Sequence, residues 1–178
     1  MSTPSLDEKQ RFLALAIAEA ARGALDGQGG PFGAVVVKDG VVIAVASNAV
    51  VANLDPTAHA EIQAIRAACA VLGSFQLTGC DIYASCEPCP MCLGAILWAR
   101  PRAVYYAATR DDAAAAGFDD AVFHAALAGG ADDHPGQASD QRTGERMGQR
   151  MIIREHLPCE AAGEPFAVYA RLANRVRY

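Results

Sequence analysis

The chain has no excess of positive charge: 15 lysines and arginines stand against 20 aspartates and glutamates, a formal net charge of −5 at pH 7. A nucleic-acid partner requires a clustered basic surface that displaces counterions from phosphate, so this balance argues against one. The arginines near the end of the chain, Arg171, Arg175 and Arg177, read as solvated charges on a terminal helix. No apolar run approaches the ~18 residues that a membrane-crossing helix needs. The first ten residues are polar and acidic rather than patterned as a secretory leader, so a cytoplasmic location is expected. No internal repeat is present. Nor do the six cysteines form a disulfide framework: Cys86, Cys89 and Cys92 fall within seven residues, a poor arrangement for cross-linking and a good one for metal.

What is present suffices for one domain over residues 1–178. Of these residues 52% are hydrophobic, and a chain of this length buries roughly 70% of the surface its unfolded form exposes. The spacing predicts a helix over 6–25, with Phe12, Leu13, Ile17, Ala20, Ala21 and Ala24 mostly on one face, stopped by the glycines of 27–30. Two β-branched runs, 32–37 and 41–47, flank Asp39-Gly40, the strongest short-range hairpin signal. A turn-rich stretch over 53–57 leads into a helix over 58–72, with Thr57 as its N-cap and Gly73 as its stop. Its expected inward residues are Ile62, Ile65, Ala68, Cys69 and Leu72. A strand over 82–85, a helix over 90–99 closed by Pro101 and a strand over 104–107 follow. Beyond them a helix is expected over 119–127, a mobile polar loop over 129–146, a strand over 151–153 and a closing helix over 163–176. Alternating strands and helices predict an α/β fold, a three-layer α/β/α sandwich.

Two short motifs carry the chemistry, His59-Ala60-Glu61 and Pro88-Cys89-Pro90-Met91-Cys92. A catalytic Zn²⁺ takes three protein ligands and keeps a fourth position for water, and His59, Cys89 and Cys92 complete that set. Glu61 is then spare, two residues from the histidine, and suits a general base. Cys89 and Cys92 are three apart and meet on the first turn of a helix. Both helix starts favour the thiolates, hydroxide and carboxylate around the ion. Cys86 also forms a C-x-x-C pair with Cys89. It falls at the end of a predicted strand, so Cys89 and Cys92 are preferred, and the tertiary structure must decide whether Cys86 reaches the metal. Glu87 reads as a helix-start charge. H-x-E followed about thirty residues later by P-C-x-x-C is the pattern of zinc-dependent nucleobase deaminases. A zinc held there would lower the pKa of its water towards ~7 and so supply hydroxide for attack on an amino-bearing ring carbon. Glu61 shuttles the proton, and ammonia leaves.

The stretches 55–61 and 85–95 resemble the cytidine/deoxycytidylate deaminase superfamily. Within it Ala115-Ala116-Gly117-Phe118-Asp119-Asp120, Gly29-Gly30-Pro31-Phe32-Gly33-Ala34, Trp98-Ala99-Arg100-Pro101 and the terminal Tyr178 are similar to bacterial guanine deaminases. The resemblance covers nearly the whole chain except 129–146. It implies a cytidine deaminase-like fold with a central mixed sheet, one Zn²⁺ per subunit and conversion of guanine to xanthine and ammonia. It also implies that Asn48 hydrogen-bonds the purine, that Ala60, Phe32 and Trp98 line its pocket, and that Asp120 is a second proton carrier. Tyr178 would close the pocket, in a homodimer that exchanges C-terminal segments over about 150–178. The alternatives are a deaminase of guanosine, ammeline or another small amino-heterocycle, a tRNA adenosine deaminase, and a structural zinc module. The tRNA reading needs a basic surface, and the structural module needs a fourth protein ligand.

Overall fold

Ser5 opens the first helix, α1 (Leu6–Leu25), by a capping box: its hydroxyl accepts from the Glu8 backbone N–H, and the Glu8 carboxylate accepts from the Ser5 N–H at 2.9 Å. In the computed structural model, which describes residues 3–118, 123 and 152–176, α1 coincides with its expected span. Strands β1 (Gly33–Lys38) and β2 (Val41–Ser47) form the expected hairpin. Asp39 and Gly40 both adopt positive φ, 49° and 78°, which a two-residue primed turn requires. The register slips between Val36 and Val37, so that Val36 faces Ala44 while Val37 faces Val42.

Three further strands complete the sheet: β3 (Cys80–Cys86), β4 (Ala103–Ala108) and β5 (Ile153–His156). The order is β2-β1-β3-β4-β5, with β1 antiparallel to both neighbours and β3, β4 and β5 mutually parallel. The sheet is therefore mixed, as expected. Alternation along β1 then assigns the layers. Ala34 and Val36 join a cluster with Ala64, Ala68, Ile82, Ile96 and Val104, which places α3 (Ala60–Leu72) and α4 (Pro90–Ala99) on one face. Val35 and Val37 join Phe12, Leu13, Ile17, Tyr83 and Tyr105, which places α1 on the other. Gly33 lets α1 approach the sheet closely: a Cβ there would stand 2.2 Å from the Ala16 carbonyl oxygen. Three layers result, and β3, in the middle, is buried along its whole length.

Several local expectations are corrected. A short helix, α2 (Val50–Asn53), begins ahead of the expected loop. The next helix starts at Ala60, with His59 rather than Thr57 as N-cap. Thr57 is otherwise engaged: its hydroxyl and its N–H both donate to Asp55 Oδ1, at 2.7 and 2.8 Å, in a local turn. Ala68 is buried and Ile65, Cys69 and Leu72 pack against the core as expected, but Ala60, Glu61 and Ala64 are buried as well, and Ile62 joins no core cluster. An unforeseen helix, α5 (Arg110–Ala115), carries its own Thr109–Asp112 capping box. The closing helix is shorter than expected, α6 (Glu164–Ala170), and follows a 3-10 turn at Glu160–Gly163. The loop expected over 129–146, and the helix over 119–127 apart from Phe123, lie outside the described residues. Among the described residues no helix is long and apolar enough to cross a membrane.

Candidate active site

Helix α4 begins where it does because proline brackets its N-cap. The residue before a proline is pushed out of the helical region, and Cys89, which precedes Pro90, is extended with φ −65° and ψ 168°. Cys92 is then on the first turn, fully buried. His59 is extended in the same way at the N-cap of α3, with φ −65° and ψ 156°, and its ring makes no capping bond. Instead it turns to the cysteines, with Nδ1 3.6 Å from Cys89 Sγ. Donor atoms of His59, Cys89 and Cys92 all lie within 4.8 Å of one another. A tetrahedral zinc, with bonds of about 2.0–2.1 Å to nitrogen and about 2.3 Å to sulfur, sets such ligands roughly 3.6–3.8 Å apart. The residues present therefore fit zinc in both donor chemistry and spacing.

The two cysteines interact through one hydrogen bond, which moves their thiols in opposite directions. Cys89 is held down to about 4, chiefly because it accepts the Cys92 thiol proton; burial opposes this, and His59 and the Cys92 N–H reinforce it. Cys92 moves upward for the complementary reason, as the donor of that bond and as a buried group. A divalent cation held by both sulfurs would release the Cys92 thiol proton. Glu61 is 7% exposed, in the first turn of α3. Burial raises its pKa, against the lowering effect of its own backbone N–H; Cys89 raises it further, and His59 and a Cys92 hydrogen bond lower it. A carboxyl shifted upward in this way is suited to holding and returning a proton.

The cysteine ambiguity resolves on geometry. Cys86 donates its thiol to the Thr109 carbonyl at 3.4 Å and is not part of the donor cluster. Asn48 is buried, and its Oδ1 accepts from the Gly30 N–H at 3.2 Å and the Val50 N–H at 3.1 Å. Gly29 makes room for it, since a Cβ there would stand 2.1 Å from Oδ1. Ala60 is fully buried between His59 and Glu61. Phe32 packs edge-on against Phe118, with ring centroids 5.0 Å apart, and against Phe166 at 5.8 Å.

One assignment is not brought together. Trp98 is 76% exposed near the C-terminal end of α4, about 9 Å along the helix from Cys92 at 1.5 Å per residue. Among the described residues no ring contact joins it to Phe32, whose aromatic neighbours are Phe118 and Phe166. Asp120 and Tyr178 lie outside the described residues. Sequence reasoning missed the aromatic group around Phe32. Phe166 and Tyr169, three apart on α6, and Phe118 after α5 come from distant segments that no local period connects.

Residues 6–108 match the family described as the cytidine and deoxycytidylate deaminase zinc-binding region. The guanine deaminase of Bacillus subtilis (strain 168) is 48% identical over 169 residues, which cover 95% of this chain and 98% of its own. An X-ray structure of guanine deaminase from Bacillus subtilis aligns with a TM-score of 0.65 at 45% identity, again over 95% of this chain and 98% of that one. A tRNA-specific adenosine deaminase of Agrobacterium fabrum (strain C58) is 48% identical over 101 residues, 57% of this chain and 66% of its own. The family match spans more than half of the chain and includes the histidine, the glutamate and both cysteines of the buried cluster. This chain belongs to the cytidine and deoxycytidylate deaminase zinc-binding family.

Proposed function

We propose that the chain is a guanine deaminase, which hydrolyses guanine to xanthine and ammonia. One observation carries the choice of substrate: similarity to a guanine deaminase runs over 95% of the chain, whereas similarity to a tRNA adenosine deaminase covers 57%. The net charge of −5 adds to this, because a tRNA ligand calls for a basic surface.

His59, Cys89 and Cys92 would hold one Zn²⁺ per subunit, whose chemical contribution is to acidify water at the position the protein leaves open. Glu61 takes the water's proton and passes it to the ring nitrogen beside the amino-bearing carbon. A second proton, for which Asp120 is the proposed carrier, lets the amino group leave as ammonia. Water supplies the oxygen of the new carbonyl, so guanine plus water balances xanthine plus ammonia. Asn48 is proposed to hydrogen-bond the purine, with Ala60 and Phe32 against its plane. A homodimer with exchanged C-terminal segments, in which Tyr178 closes a pocket, belongs to the same reading.

An ammonia-release panel of guanine, guanosine, cytosine, adenine and ammeline tests the proposal. Guanine is expected to be turned over fastest. If guanosine or ammeline is turned over and guanine is not, the substrate assignment passes to that compound. Light scattering of the full chain, with activity restored on mixing a Glu61→Gln chain with one lacking Tyr178, tests the exchanged dimer.

A further inference from the structure

Glu87 lies between the last residue of β3 and Pro88, two positions before Cys89, and the proposed chemistry makes no use of it. Its side chain is only 7% exposed, yet four donors converge on it. From Arg110 come the backbone N–H at 3.3 Å and Nε at 3.2 Å, both to Oε2, and Nη2 at 2.6 Å to Oε1. From Arg154, on β5, comes Nη2 at 3.2 Å to Oε1. The backbone is fastened at the same place: the Glu87 N–H donates to the Ala108 carbonyl at 2.9 Å, and the Cys86 thiol donates to the Thr109 carbonyl at 3.4 Å.

Enclosing a carboxylate is costly unless it is paired and hydrogen-bonded. A favourable charge at the start of α5 explains only the bond to the Arg110 N–H. The two guanidinium groups come from segments that follow β4 and form β5, and they fix the turn 86–90 in space. That turn needs fixing. Pro88 and Pro90 stiffen the chain on either side of Cys89, but they do not determine its distance from His59, which arrives on α3 from 30 residues earlier. Metal ligands tolerate misplacement of only about 0.2 Å.

We infer that Glu87 is a positioning residue for the metal centre: through Arg110 and Arg154 it anchors the Cys89 turn to β5 and to the start of α5, so that Cys89 stays within ligand distance of His59. The inference rests on the zinc reading of the His59, Cys89 and Cys92 cluster.

The test uses the zinc-loaded full chain, Glu87→Gln, Arg154→Gln and the control Glu155→Gln, which is on the same strand as Arg154 and breaks the 2.7 Å ion pair to Lys9 of α1. Three quantities are measured: the rate of zinc release to an excess of a chromophoric chelator, the visible spectrum of the cobalt(II)-substituted protein, and the Tm. Glu87→Gln is expected to speed zinc release by about 10-fold or more and to shift the cobalt bands, with a smaller effect in the same direction for Arg154→Gln. Glu155→Gln should leave both readouts unchanged, whatever its Tm. Unchanged release and spectrum in Glu87→Gln overturn the inference, as does an equal change in the control at equal loss of Tm. Should Glu87→Gln fail to fold, Arg154→Gln decides by the same criteria. A wild-type chain that takes up no zinc overturns the metal reading itself, and this inference with it.

Discussion

Cys89 Sγ stands 3.6 Å from His59 Nδ1 although 30 residues separate them in the chain, and each residue is the N-cap of its own helix. Ordinarily an N-cap side chain satisfies the free N–H groups of the first turn. Here the His59 ring is directed at the neighbouring helix instead. The geometry follows from extended backbone at both positions, which swings the two side chains beyond the helix ends into shared space.

Burial holds the Glu61 pKa above its ordinary value, so the metal-free folded chain binds this proton more tightly than the unfolded chain does. The associated stability is present below the unfolded pKa of ~4.3 and is lost as pH rises through the higher folded value. Glu61→Gln should therefore raise the Tm of chelator-treated protein at neutral pH, with the gain shrinking towards about pH 4. Differential scanning calorimetry across that range checks it. With zinc restored, the variant should retain metal and lose kcat by roughly 10²- to 10⁴-fold. Turnover near the wild-type rate would remove Glu61 as the proton shuttle.

Asn48 has a structural role and a proposed role in binding the purine, and substitution separates them. Asn48→Ala withdraws the acceptor of the Gly30 and Val50 N–H groups, at a cost of about 2 kcal/mol or more in urea unfolding. Asn48→Asp keeps that acceptor and should lose less stability. Both variants should raise the KM for guanine, since both lack the amide donor. Gly29→Ala should resemble Asn48→Ala, because its Cβ would collide with Oδ1. An unaltered KM in Asn48→Asp would take Asn48 out of substrate binding.

Asp81 is 2% exposed near the start of β3, and Arg102 holds it through a 2.8 Å bond from Nε to Oδ1 and a second from Nη2 to Oδ2. Arg102→Ala strands a buried carboxylate and should cost about 3–5 kcal/mol. The double variant Asp81→Asn/Arg102→Ala should recover part of that loss. Turnover per folded molecule should not change, because Asp81 is at the opposite end of β3 from Cys86 and the metal turn. A fall in kcat for folded Arg102→Ala would contradict this separation.

Much of this molecule is local in origin. The span of α1, the Asp39-Gly40 turn, β2 and α4 follow from periodicity, positive-φ residues and proline, all of which act within a few residues. The donor types were legible for the same reason, since residue type and spacing single out His59 and the cysteines Cys86, Cys89 and Cys92. Thr57 misled because its hydroxyl had a nearer partner in Asp55. Helix α5 was missed because six residues are too few to show a period. Trp98 was assigned by resemblance, and no short-range pattern shows that its side chain is exposed in this chain.

The sequence by itself determined the donor types and the spare carboxyl, one histidine, a cluster of cysteines and Glu61, because each depends on residue identity and short-range spacing. Only the tertiary structure decided which sulfur stays out, why Glu87 is enclosed and what surrounds Phe32. Cys86 turns to Thr109, Glu87 meets arginines 23 and 67 residues away, and Phe32 meets Phe118 and Phe166. These are contacts between segments far apart in the chain, and they exist only once the parallel strands β3, β4 and β5 bring those segments to one end of the sheet.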